Sequence, residues 1–216
     1  NGKSSNQCLR PTNSVNKVTY DRRTGQFHGG DRRFIARAEV LRLVDGEATR
    51  LETRLSGQAR LLTQDKIGVT EFQLRMAEDV KLSHLRMAAF GAGGEKQLNA
   101  RHFGTAGQEL KRQYKYLQGF GDAIATGELS QKQILSRAKS YGVSARTAFF
   151  KSEKMTRESY GAREAKRSLD SQARHCSSCL GHSTGGLWLP IDQVVAPGVD
   201  CECNSRCRCR IVFRDA

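Results

Sequence analysis

Residues 35–62 read IARAEVLRLVDGEATRLETRLSGQARLL. Ile35, Ala38, Leu41, Val44, Ala48, Leu51, Leu55, Ala59 and Leu62 recur there every three or four positions, with Arg and Glu between them. Apolar side chains at that spacing line one face of an α-helix, so the stretch predicts one long amphipathic helix. The pattern continues downstream. Thr70 and Gln73 have capping-box spacing and open a second helix through Phe72, Met76, Val80 and Met87, which Gly91-Ala92-Gly93-Gly94 closes. Thr105 with Gln108 opens a third, carrying Leu110, Tyr114, Leu117 and Ile124, with Gly127 as its stop. Ser130 with Gln133 starts a fourth, whose buried stripe is Ile134, Ala138, Tyr141, Ala145 and Ala148. A basic helical stretch follows from Arg157 to Ala173. Residues 31–173 therefore read as an elongated multi-helix body, with Phe149 and Phe150 in its core. Glycines inside the helices, such as Gly57 and Gly142, each cost up to about 1 kcal/mol relative to Ala. They point to close helix contacts, breaks or a supporting partner.

Two zones flank this body. Residues 1–30 are polar and rich in Asn, Ser, Thr, Arg and Gly, and read as an extended arm with a turn at Asp21–Phe27 and an isolated Cys8. Beyond residue 174 the composition shifts to Cys, Gly, Pro, Val and Trp. Gly185-Gly186-Leu187-Trp188-Leu189-Pro190 reads as a turn into a short strand over which Trp188 packs, and Pro197-Gly198 as a second turn. Arg208, Arg210, Val212 and Arg214 alternate with Cys209, Ile211 and Phe213, the period of a strand. The fold class is mainly α, with a small cysteine-rich β-hairpin module at residues 174–216.

Six of the seven cysteines lie in that module, in His175-Cys176-Ser177-Ser178-Cys179 and Cys201-Glu202-Cys203-Asn204-Ser205-Arg206-Cys207-Arg208-Cys209. Thiols concentrated this way share a job, metal binding or cross-linking. Cys176 and Cys179 have knuckle spacing. If residues 204–206 form a loop, Cys203 faces Cys207, Cys201 faces Cys209, and all four sulfurs share one side of a ribbon. Cys176, Cys179, Cys203 and Cys207 then supply the four soft ligands of a structural tetrahedral zinc site, with Cys201 and Cys209 as alternates. Cross-strand disulfides Cys203–Cys207 or Cys201–Cys209 are the competing reading in an oxidising setting. His175 and His182 are read as lying outside the ligand set.

The chain of 216 residues has a formal charge of +14 and is only 38% hydrophobic and 7% aromatic. A field of that sign attracts polyanions, and Arg206, Arg208, Arg210 and Arg214 are the candidate contacts to nucleic acid or to an acidic partner. No apolar run approaches the roughly 18–20 residues of a membrane span. There is no signal-peptide pattern, and Asn1 in place of an initiating Met is read as processing or truncation. Walker A, H-E-x-x-H and H-x-E…P-C-x-x-C patterns are missing. Gly91-Ala92-Gly93-Gly94 follows a helix and reads as its stop. No catalytic or cofactor-binding residues are assigned, and the chain is read as a non-enzyme.

A basic multi-helix region, then C-x-x-C, a Gly/Trp/Pro segment and a terminal C-R-C before a basic strand together resemble the head-morphogenesis or minor head proteins of the phage Mu F-like group. Cys176 and Cys179 match the family's first pair, and Cys207-Arg208-Cys209 its terminal C-R-C. Ser144-Ala145-Arg146-Thr147 is similar to the segment upstream of the pair. The His that often precedes C-R-C in the family is absent, Cys203 stands in that neighbourhood, and Cys201 is extra. The specific part of the resemblance spans residues 144–214. It implies a structural virion component of a tailed bacteriophage, assembled in the bacterial host cytoplasm. The expected partners are the portal protein and the major capsid protein, with sequence-nonspecific contact to packaged DNA and a role in head assembly and DNA packaging. The alternatives are a zinc-knuckle nucleic-acid-binding module, and a capsid cement or neck protein without DNA contact.

Overall fold

The first long helix, α1 (Arg37–Thr63), buries Val40, Val44, Ala48, Leu51, Leu55, Ala59 and Leu62 as one stripe. At 1.5 Å per residue it is about 40 Å long. Four further helices follow in this computed structural model: α2 (Val69–Ala92), α3 (Ala100–Ala125), α4 (Gln131–Ser144) and α5 (Arg146–Ser159). The structure describes residues 18–21, 23–24, 26–183, 185–203 and 207–215. Cys8, the 204–206 loop and Arg206 lie outside them.

Helix α2 is the hub, packed by α1, α3 and α5, while α4 lies against α1. Two glycines make the closest crossings possible. A Cβ on Gly91 would sit 2.4 Å from the Phe149 carbonyl oxygen of α5, and one on Gly142 would sit 2.8 Å from Glu52 Cα of α1. Phe72, Phe120, Phe149 and Phe150 fill the space between the helices.

Helix ends follow the sequence in part. Gly93 closes α2 at φ +86°, and Ser130 caps α4 in a capping box with Gln133. The caps expected at Thr70 and Thr105 are not used. Helix α2 starts from Gly68, leaving Gln73 free to donate to the Leu117 carbonyl at 3.2 Å. Helix α3 starts at Ala100, because Asn99 Oδ1 accepts from Arg101 N at 3.0 Å and His102 N at 3.3 Å. The fourth predicted stripe is divided at Ala145 between α4 and α5.

Two regions correct the sequence reading. The described part of the predicted arm carries β1 (Thr19–Asp21) and β2 (Gln26–His28), which form an antiparallel meander with β3 (Phe34–Ile35), although the sequence pattern places Ile35 in the first helix. Tyr20 and Phe27 share one face and are buried against the helices, with Tyr20 stacked on Tyr160 at 5.4 Å and the Arg157 guanidinium 4.3 Å over its ring. Two aromatics one strand apart were enough to dock a segment whose composition is otherwise polar.

The predicted helix from Arg157 to Ala173 is also replaced. Gly161, at φ +105°, turns the chain after α5, and Ala162–Ser168 forms strand β4. It is the centre of an antiparallel sheet, flanked by β5 (Leu189–Pro190) and β6 (Arg210–Asp215). Ala165 and Arg167 point inward and alternate with Glu164, Lys166 and Ser168. The expected alternating strand is thus present as β6, but its partner is β4, not a ribbon strand through Cys201 and Cys203, which lie in a turn. Trp188 is half-buried on the outer face of this sheet, between Lys166 at 4.8 Å and Arg214 at 4.6 Å.

Candidate metal centre

Three segments and one strand converge below the sheet. The first segment carries the short helix α6 (Ser177–His182), whose N-cap is Cys176. The Cys176 sulfur accepts from Cys179 N at 3.4 Å, so C-x-x-C here combines a helix cap with a second sulfur one turn on. The second segment turns at Gly198 and Asp200, both at positive φ, and delivers Cys201 and Cys203. The Glu202 carboxylate accepts from the Ser177 and Ser178 hydroxyls, tying this segment to α6. The third segment brings in Cys207 and Cys209 on the approach to β6.

Cys179, Cys201, Cys207 and Cys209 are buried, Cys176 and Cys203 partly so, and all six are free thiols. The sulfurs of Cys179, Cys201, Cys203 and Cys207 lie within 4.8 Å of one another. Cys179 is 3.3 Å from Cys203 and 3.7 Å from Cys207. A tetrahedral site with 2.3 Å arms has S···S edges of about 3.8 Å, so this group can hold a metal ion. Three of the four predicted ligands are in it. The fourth is Cys201, an alternate in the sequence reading, in place of the capping Cys176. His175, Cys179 and Cys209 form a second group with the same 4.8 Å spread. The His182 ring is turned to the Asp200 carbonyl at 2.9 Å.

The residue that sequence reasoning missed is Arg167. It is 1% exposed, and its Nη2 donates to Cys201 Sγ at 2.8 Å, Cys207 Sγ at 3.2 Å and Cys179 Sγ at 3.5 Å. Its Nη1 donates to the Val195 carbonyl at 3.3 Å. A guanidinium out of water needs an anionic partner, since an unpaired buried charge costs several kcal/mol. Here the partners are sulfurs, and their hydrogen bonds raise the Arg167 pKa against the opposing effect of burial. Burial pushes the Cys207 thiol up, but backbone N–H bonds from Cys209 and Gly198 and the Arg167 charge outweigh it and bring the pKa down to about 7. Burial raises Cys203 to about 12 and also raises Cys179 and Cys209. Without a metal, Cys207 is thus the sulfur that favours thiolate charge beside the fixed Arg167 cation, while burial holds Cys179, Cys203 and Cys209 as neutral thiols.

Of the arginines proposed for polyanion contact, Arg208 pairs with Asp170 at 3.2 Å and Arg214 with Glu164 at 2.6 Å, while Arg210 is exposed on the strand. A cleft of about 600 Å³ opens where the module meets α3 and α4, lined by Arg112, Tyr116 and Arg137 on one side and Asp200 and Glu202 on the other.

The sequence reading finds no G-x-S-x-G nucleophile elbow, yet Gly181-His182-Ser183-Thr184-Gly185 carries those letters. An elbow places its Ser between a strand and a helix. Ser183 instead follows the end of α6, its N–H donating to the Cys179 and Leu180 carbonyls. No helix among the described residues is long and apolar enough to cross a membrane. Comparison with protein-family models, curated proteins and solved structures finds no match to this chain.

Proposed function

We propose that this chain is a structural virion protein of a tailed bacteriophage, a minor head or head-morphogenesis component that docks on the portal or major capsid protein. In this reading the cysteine module is a zinc-bound staple, not a catalytic site. An all-sulfur tetrahedral donor set suits zinc, and a site closed by four thiolates leaves no open position for substrate. Bound zinc would supply covalent-strength cross-links between α6, the Cys201–Cys203 turn and the segment leading into β6. The chain's own residues do the rest. Arg167 offsets part of the thiolate charge, Glu202 ties two segments together, and β4 carries the order of the module into α5.

The observation that carries the reading is the joining of C-x-x-C to C-R-C around a buried guanidinium, at the end of a basic helical body. Its first test is elemental analysis and thiol counting on protein purified without chelator. Bound zinc with reduced thiols is expected. Oxidised thiols without metal would sink the staple. The virion role is tested by assembling heads with the Cys179→Ser chain. Reduced incorporation with unchanged helix content is expected, and normal incorporation would count against it.

One observation favours a nucleic-acid role in addition. Lys166 and Arg214 flank Trp188 on the outer face of the sheet, with Arg210 further along the same face of β6, a pairing of cations and an aromatic suited to phosphate and base contacts. Because β4 belongs to the module, the full chain is the proper reagent. A DNA affinity that falls steeply with salt and is weakened by Lys166→Ala with Arg210→Ala would support it. Salt-independent or undetectable binding would leave a cement or neck role without DNA contact.

A further inference from the structure

We propose that the module binds two metal ions that share the Cys179 thiolate. This rests on the zinc reading above and deepens it from a single centre to a pair. Cys179 belongs to both ligand groups, one with Cys201, Cys203 and Cys207 and one with His175 and Cys209. Two tetrahedra that share a vertex need about seven donors if each ion is four-coordinate. The module holds six thiols and two imidazoles; His182 lies in neither group, and the six thiols with His175 make seven. Cys176 lies outside both groups; next to His175 in the chain and with its sulfur on the Cys179 N–H, it is the donor left to move in and complete the second set.

The surplus groups are poorly explained by one ion. Cys209 is 1% exposed and stands outside the first set of four. Its sulfur bonds to the Arg167 guanidinium and to the Cys179 and Cys207 thiols, contacts that keep it beside the shared sulfur of the second group. His175 is set up as a ligand: its Nε2 is 2.8 Å from the Asp170 carbonyl. A carbonyl only accepts, so Nε2 carries the proton and Nδ1 is left with the lone pair. A ring held at its far nitrogen by a backbone carbonyl is the usual support of a metal-bound His. Charge is also consistent. Six thiolates with two divalent ions sum to two negative charges, and Arg167 offsets one. The thiol protons displaced on binding pass to solvent.

The test is native mass spectrometry of the full, tag-free chain saturated with zinc, with cadmium-113 NMR of the cadmium-exchanged protein as a second readout. Two ions per chain and two cadmium resonances are expected. The Cys209→Ser and His175→Ala chains should each keep one ion and one resonance, and the Cys8→Ser chain should keep both. One ion per saturated wild-type chain would overturn the shared pair while leaving the single staple standing. No bound ion would overturn both. Two ions retained by both the Cys209→Ser and His175→Ala chains, or one lost with Cys8→Ser, would overturn the donor assignment.

Discussion

The helical body and the cysteine module bury charge in opposite ways. The body buries carboxylates. Glu47 is fully enclosed between Arg50, Arg54, Arg86 and the Ser83 hydroxyl, and Glu153 accepts both arms of Arg37 at 2.6 Å. Glu109 is held by Lys151 and Arg112. The module buries a cation and surrounds it with sulfur. Carboxylates and guanidinium groups keep their charge through ordinary conditions, so the ion pairs of the body need no metal, although Ile191, Val194 and Ile211 of the C-terminal region share its hydrophobic core. Thiols lose their charge by protonation or oxidation and hold it best on a metal. The same physical requirement, a counter-ion for every buried charge, is met by permanent charges in one half and by charges that depend on protonation, oxidation or a metal in the other.

The comparison breaks most visibly if metal and sulfur are removed. Chelation or Cys179→Ser should leave far-ultraviolet circular dichroism nearly unchanged while opening residues downstream of Gly161 to protease. Loss of helix in step with the module would show that the two halves are not independent. The next largest effect belongs to the body. Glu153→Gln leaves Arg37 facing a neutral group, and a loss of about 3 kcal/mol is expected from a broken, largely buried pair, read as a lower urea midpoint with zinc retained.

Packing gives smaller effects. Gly142→Ala forces α1 and α4 apart and should cost about 2 kcal/mol. Gly57→Ala has open space within 4 Å and should gain up to about 1 kcal/mol. Both are read from the same urea titration, and equal effects would mean that the crossing at Gly142 is looser than described.

The smallest effect sharpens the contrast in pH. Burial lowers the pKa values of His84 and His102, with the Arg101 charge adding to the effect at His102. A depressed folded pKa gives stability that is present above the unfolded value, about 6.5, and is lost as pH falls through the folded value. Thermal stability of the body should therefore fall between pH 7 and 5, and His84→Gln should flatten that fall. Glu109 is likewise depressed. Burial raises its pKa, but the opposing bonds and charges of Lys151 and Arg112 prevail, so its contribution persists until more acid conditions.

The body was legible because its signals are local. The α1 stripe, the Gly93 stop and the Ser130 cap all act within a few residues of the chain. The inward turn of Glu47 was not legible, since a Glu among arginines reads as a solvated face until the neighbouring helix is placed. The module was legible in composition but not in connection. Ala162-Arg163-Glu164-Ala165-Lys166-Arg167-Ser168 is made of good helix formers, and only pairing with β6, 50 residues away at Glu164–Arg214, makes it a strand. The wrong partner for β6 brings the wrong ribbon, while C-x-x-C spacing pairs Cys176 with Cys179 and leaves Cys201 as an alternate, and Arg167 reads only as part of a basic helix. The period of two in Ala165 and Arg167 after Gly161 was the available sign.

The central position of β4 also sets an order of events during synthesis. Helices α1 to α5 precede it, and each can pack as soon as it has formed. Strand β4 emerges directly behind them but stays unpaired until both of its neighbours, β5 and then β6, have been made. In that interval Arg167 remains in water, where a guanidinium is comfortable, and it moves inward only when the last sulfurs arrive. The body is a platform completed early, and the module is a clasp that closes on it late.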